Sequence, residues 1–222
     1  MNGKNIQNFL VQLSDNNSRE WFNLQKDAYT QLKLDFELFI NQVIAGISAF
    51  DTLGNITAKD CVFRIYRDTR FSNNKLPYKT NFGAYIAGGG RKSTLAGYYF
   101  HLEPGKSFAG GGLYMPDTKI LNAVRNEIYE NEQEFTDIIH SERFKSTFDE
   151  MWGDKLQRAP KGFSPDFKHI EFLKMKSIAP IRNLSDAQIQ DPKLIHLVID
   201  TFKQLSVLNK FFNRAMENAF TD

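Results

Sequence analysis

Between Cys61 and Tyr114 the apolar spacing of this chain switches from threes and fours to twos, β-branched and aromatic residues gather, and glycines punctuate the runs. A period of two bounded by turn signals reads as antiparallel strands. Four strands fit, near Val62–Arg67, Phe82–Ala87, Gly97–Glu103 and Ser107–Leu113; the Gly88–Gly90 and Pro104–Gly105 turns link the last three into a meander. On both sides of this block the spacing is helical. Asn17 with Glu20 resembles a capping pair, and Phe22, Tyr29, Leu32, Phe36, Phe39, Val43, Ile47 and Phe50 then recur at threes and fours, predicting one long core-facing helix that Gly46 bends or ends. After Pro116, Asp117 caps a helix bearing Ile120, Leu121, Val124 and Ile128, and Asn131 with Glu134 opens another.

Further on, a short helix is expected around Phe167–Leu173, a fifth strand over Met175–Ile181, and a helical turn capped by Ser185 and Gln188. Asp191-Pro192 then opens a last helix whose Leu194, Val198, Phe202, Leu205, Leu208, Phe212 and Met216 make a continuous apolar face. Strands grouped centrally between helices predict an α+β fold, an antiparallel sheet of four or five strands packed with N- and C-terminal helices, rather than alternating βαβ units. No linker or repeat divides the chain, so residues 1–222 read as a single domain.

Phe fills 20 of 222 positions, ample for a packed core without staples. Cys61 stands alone, which excludes an intrachain disulfide and suits a reducing interior. The amino terminus lacks the features of a signal peptide, and no apolar run nears the roughly 18 residues that cross a bilayer. A cytoplasmic protein with no membrane partner is expected.

The net charge is only +2, yet it is unevenly spread. Residues 61–92 hold seven bases, Arg64, Arg67, Arg70, Lys75, Lys79, Arg91 and Lys92, against the single acid Asp68. Residues 155–182 hold seven more bases against Asp166 and Glu171, while the acids concentrate over residues 126–150, which reads as a solvated helical face. Strand alternation sends Phe63 and Ile65 to the core and Arg64 and Tyr66 to the other face. It likewise separates Tyr98, Phe100 and Leu102 from Tyr99, His101 and Glu103. If the two polar rows share a face, guanidinium forks there can grip phosphate or carboxylate. Arg64, Tyr66, Arg67, Arg70, Lys79 and Tyr99 are therefore the candidate ligand-binding residues for an anionic small molecule, with Arg67–Lys79 as a rim. His101 and Glu103 are the candidate acid/base pair.

Two alternatives stand beside this site. Tyrosines interleaved with bases also suit a nucleic-acid binder, and the arginines also suit internal ion pairs in a structural or interaction protein. No metal site is predicted: His101 and Glu103 offer two ligands, and His140, His169 and His196 lie on unrelated helices. No cofactor motif is present. Gly110–Gly112 before Asp117 brings a glycine strand to a helix start, and it reads better as a strand kept bare for close packing than as an anion cradle.

The runs Asn16-Asn-Ser-Arg-Glu-Trp-Phe22, Phe63-Arg-Ile-Tyr-Arg-Asp-Thr-Arg-Phe71, Lys75-Leu-Pro-Tyr-Lys-Thr80, Gly97-Tyr-Tyr-Phe-His-Leu-Glu-Pro104 and Arg158-Ala-Pro-Lys-Gly162 resemble a conserved-hypothetical, mainly bacterial family, domain of unknown function 2461. The resemblance spans about Phe9 to Met216, with Tyr114 where the family often has tryptophan. It implies one soluble intracellular domain and assigns no activity, so no catalytic residue is carried over.

Overall fold

Asn2 opens the first helix by accepting the Asn5 N–H at 3.1 Å. The computed structural model describes residues 1–70 and 72–220. Helix α1 (Gly3–Asp15) buries Ile6, Phe9, Leu10 and Leu13 along one side, a helix that its polar, amide-rich sequence did not announce. The long helix expected from Asn17 is divided into α2 (Arg19–Leu24) and α3 (Lys26–Ile47), because the N–H of Gln25 turns back to the carbonyls of Trp21 and Phe22. Its cap is Ser18, whose Oγ accepts from Trp21 N–H, rather than Asn17. Gly46 lies one residue before the end of α3, and a Cβ there would lie 2.4 Å from the Ile199 side chain, so glycine lets the helix opposite come close.

After α4 (Ala58–Cys61) comes the expected first strand, and here the structure differs. Residues 62–67 bend at Ile65 and pair only at single bridges, Val62 with Ala84 and Tyr66 with Tyr78. Unbroken pairing begins with β1 (Phe82–Ile86), followed by β2 (Gly97–Leu102) and β3 (Ser107–Gly112), the meander read from the sequence. Helices α5 (Thr118–Glu130), α6 (Glu132–His140) and α7 (Glu142–Thr147) follow. Asp117 caps α5 as expected, accepting the Ile120 N–H at 2.9 Å; Asn131 stands at the start of α6 as expected, but its side chain turns back to Glu127 instead of bonding the helix N–H groups.

A three-residue strand, β4 (Glu150–Trp152), comes next, then α8 (Ile170–Leu173) and β5 (Ala179–Leu184), which starts four residues later than expected. The register Gly110↔Ile181 resumes as Leu113↔Ile178 beyond Pro180, which has no N–H to give the ladder. Helix α9 (Asp186–Gln190) carries the expected Ser185/Gln188 capping box, and α10 (Leu194–Phe220) closes the core. The antiparallel sheet runs β1-β2-β3-β5-β4. One face, with Phe82, Tyr98 and Phe100, packs on Phe36 and Phe39 of α3 and Phe202 of α10, ring centroids 5.2–5.3 Å apart in the closest pairs. Each such buried ring contributes about 1.5–3 kcal/mol, which fixes the sheet face that meets the helices and leaves the other one free for a site.

Candidate functional site

Antiparallel register aligns Tyr85 with Tyr99 and His101 with Phe108, so these four side chains share the face turned away from α3 and α10. Their strand neighbours on that face are glycines: Gly83 lies opposite His101, and Gly110 opposite Tyr99. The result is a low floor under a cavity of about 750 Å³. Phe63, Lys79 and Arg91 are on its lining, together with Tyr114, Met115, Asp117 and Trp152. Tyr114 and Trp152 stack at 5.1 Å while both remain exposed, and Met115 holds a φ of 44° between them and the start of α5. The glycine run of β3 serves packing, since a Cβ on Gly111 would meet the Gly97 carbonyl at 2.1 Å and Leu205 of α10 at 3.0 Å.

The polar centre of the floor is a chain of three residues at alternate positions. Tyr99 Oη lies 3.0 Å from His101 Nδ1, and His101 Nε2 lies 3.1 Å from Glu103 Oε2. Thr80 Oγ1 donates to the other Glu103 oxygen at 2.9 Å, so His101 and Thr80 hold the carboxylate from two sides, while Ser107 Oγ accepts the Glu103 backbone N–H. Facing a carboxylate, Nε2 carries the imidazole proton; Nδ1 then accepts from the Tyr99 hydroxyl and, at 3.4 Å, from the Asn81 amide. The ring lies flat against Phe108, 4.8 Å away and tilted by 13°. Burial lowers the His101 pKa although Glu103 pulls the other way, and burial pushes the Tyr99 phenol up to about 12. At neutral pH Tyr99 is therefore a neutral phenol and His101 a neutral imidazole.

Of the residues singled out from the sequence, Tyr99, His101 and Lys79 line the cavity and Glu103 stands behind His101. The Lys79 ammonium sits over the Phe63 ring, 5.3 Å from its centroid. Among the described residues it has no ion-pair partner, and its pKa is lowered by burial and then by Arg64 and Arg67. These two arginines lie within electrostatic reach behind Lys79 without lining the cavity, and likewise have no ion pair among the described residues. Arg70 is outside too, forked onto Asp68 at 2.7 and 3.0 Å. Tyr66 turns the other way, packing on Phe22 and Tyr78. The expected sharing of one face by Arg64, Tyr66, Tyr99, His101 and Glu103 is thus corrected: residues 62–67 are not a paired strand, so their alternation does not continue that of β2.

The same irregularity puts Phe63, expected in the core, on the cavity wall, while Ile65 is buried as expected. Phe108 was within reach of the alternation argument, being opposite His101. Trp152 was not, because a three-residue strand has no readable period. The second basic segment lends the cavity Ala179 and Ile181 but none of its bases; Lys155 and Lys174 both hold Glu171, at 3.1 and 2.7 Å. Among the described residues no three His, Cys, Asp or Glu side chains gather as a metal site would need.

No curated protein and no solved structure matches the chain. A family model does match, over residues 5–211, nearly the whole length and including every residue of the cavity. The chain with this aromatic, glycine-floored cavity therefore belongs to the conserved hypothetical protein family DUF2461.

Proposed function

We propose that the cavity binds a small molecule that has an apolar, ring-sized body and a phosphate or carboxylate group. The observation that carries this reading is Lys79, a partly buried cation without an ion-pair partner among the described residues, on the lining of a cavity built mostly from aromatic and aliphatic side chains, where Arg91 is a second cation and Asp117 an acid. A desolvated ammonium gains most from an anion brought to it, and Arg64 and Arg67 add to the local positive potential. Apolar walls with few convergent polar groups are the usual make-up of small-molecule sites. A bacterial cytoplasmic setting belongs to the same proposal, supported by the lone, buried Cys61.

Trp152, on the cavity lining, supplies the readout. In a Trp21→Phe background its fluorescence is titrated with phenyl phosphate, benzoate, inorganic phosphate and a single-stranded oligonucleotide at two salt concentrations. Saturable binding of an aryl acid is expected, weakened about tenfold or more in Lys79→Met, as the loss of one charged hydrogen bond predicts. The exposed Tyr114–Trp152 stack favours one second reading, a platform for nucleic-acid bases. That reading requires the oligonucleotide to bind best, with an affinity falling steeply as salt rises. Indifference of Trp152 to every probe removes both.

A further inference from the structure

Resting on that ligand site, we infer that it is catalytic and that Tyr99 is its nucleophile, with His101 as base and Glu103 as the group orienting it, acting on a phosphate ester. The inference starts from connectivity. Hydroxyl, imidazole and carboxylate are linked in that order through the two different ring nitrogens, Nδ1 toward Tyr99 and Nε2 toward Glu103. This is the arrangement in which a hydroxyl gives its proton to an imidazole whose far side is held by an acid. Both Tyr99 and His101 line the cavity, and the bare Gly83 gives the phenol the room it occupies, since a Cβ there would lie 2.6 Å from Oη. A core hydrogen-bond chain would not need to face a cavity, nor a cation at its edge.

The step balances within the site. Tyr99 Oη forms a bond to phosphorus as the bond from phosphorus to the ester oxygen breaks. The phenolic proton passes to His101 Nδ1 and from there to the departing oxygen, which leaves as an alcohol. Water then attacks the phosphotyrosyl group, giving its proton through Nδ1 back to Tyr99 Oη and releasing inorganic phosphate. Glu103 stabilises the transient imidazolium, and Lys79 faces the phosphoryl oxygens. The raised phenol needs such help, because at neutral pH almost none of it is ionised.

An alkyl fluorophosphonate tests this without a known substrate, since its P–F bond can break as the Tyr99 O–P bond forms. Peptide mass spectrometry of the intact, labelled protein should find the adduct on Tyr99 ahead of the exposed Tyr66, Tyr114 and Tyr129. His101→Gln should slow labelling about tenfold or more, and Glu103→Gln should slow it less. In the wild type, where folding of a variant is not in question, the rate should rise with deprotonation of His101 below pH 6.5 and then level off. A rate that instead climbs tenfold per pH unit toward the phenol's own ionisation overturns the relay, as does an adduct confined to the exposed tyrosines. Relay-dependent labelling of Tyr99 that no aryl acid slows supports the nucleophile while overturning only the anion-binding reading.

Discussion

The side-chain amide of Asn17 brackets the backbone of Tyr78, donating to its carbonyl and accepting from its N–H, both at 3.1 Å. One residue beyond Tyr78 is Lys79, whose own N–H goes to the Ile65 carbonyl at 2.8 Å. An amide outside the sheet thus does for this loop what a neighbouring strand would do, and it fixes where the cavity's cation stands. Asn17→Ala should cost about 1–2 kcal/mol, the value of two partly buried hydrogen bonds, read as a lower urea midpoint at unchanged slope. It should also weaken aryl phosphate binding with Lys79 intact, and unchanged binding would show that the Tyr66–Tyr78 bridge and Tyr78 packing on Phe22 hold the loop without Asn17.

Arg125 gives a second prediction. It is only 5% exposed, and its guanidinium donates to the Leu173 carbonyl at 2.7 Å and the Met175 carbonyl at 3.3 Å, capping the end of α8 just before β5. Arg125→Met removes the donors but keeps an apolar stem, leaving two buried carbonyls unsatisfied. A loss of about 2–3 kcal/mol is expected. Because this segment leads into β5, hydrogen exchange should quicken from Met175 to Leu184 while β1 stays protected. Uniformly faster exchange would count against a local role.

The third prediction concerns pH. Burial lowers the pKa of His101 and of His169, the latter held between Thr136 at 2.9 Å and Glu132 at 3.4 Å. Glu103 and Glu132 oppose the shifts, and Lys106, Lys168 and His140 reinforce them. The unfolded chain therefore binds more protons than the native one between the lowered values and 6.5. The contribution of these groups is fully present above pH 6.5 and is lost as the pH falls through that window. Unfolding free energies measured from pH 7.5 to 5.5 should decline more steeply for the wild type than for the His101→Gln, His169→Gln double variant. Equal slopes would mean that neither imidazole is desolvated.

How far the sequence could be read follows from where the chain keeps a period. Tyr99 and His101 lie along a strand paired on both sides for most of its length, and Glu103 follows directly after its end, so alternation placed the three together correctly. Residues 62–67 are bridged at two points only, and there the same rule put Phe63 in the core and aligned Arg64 and Tyr66 with a face they do not share. Helix α1 was hidden because amides and Lys4 dilute its stripe, although four of its five apolar residues, all but Val11, reach the core. Arg125 sat unnoticed between Val124 and Ile128: a charged residue at a core position shows its purpose only once the carbonyls it caps are known. Local pairing carries a period; long-range contacts such as Asn17 with Tyr78 carry none.

The last prediction separates the relay from the fold that holds it. Gly83 has an ordinary backbone conformation, so alanine is tolerated there by the chain itself. Its methyl group would meet Tyr99 Oη at 2.6 Å and the ring carbons beside it at 3.2 and 3.3 Å. The far end of a side chain moves at little cost, so Gly83→Ala should lower stability by only about 1 kcal/mol. The displaced hydroxyl, however, leaves the 3.0 Å bond to His101 Nδ1, and hydrogen bonds weaken steeply once stretched or bent. Fluorophosphonate labelling of Tyr99 should then drop about tenfold, close to the effect of His101→Gln, while aryl phosphate binding through Lys79 falls much less. Labelling that survives Gly83→Ala undiminished would mean that the phenol reacts without the imidazole.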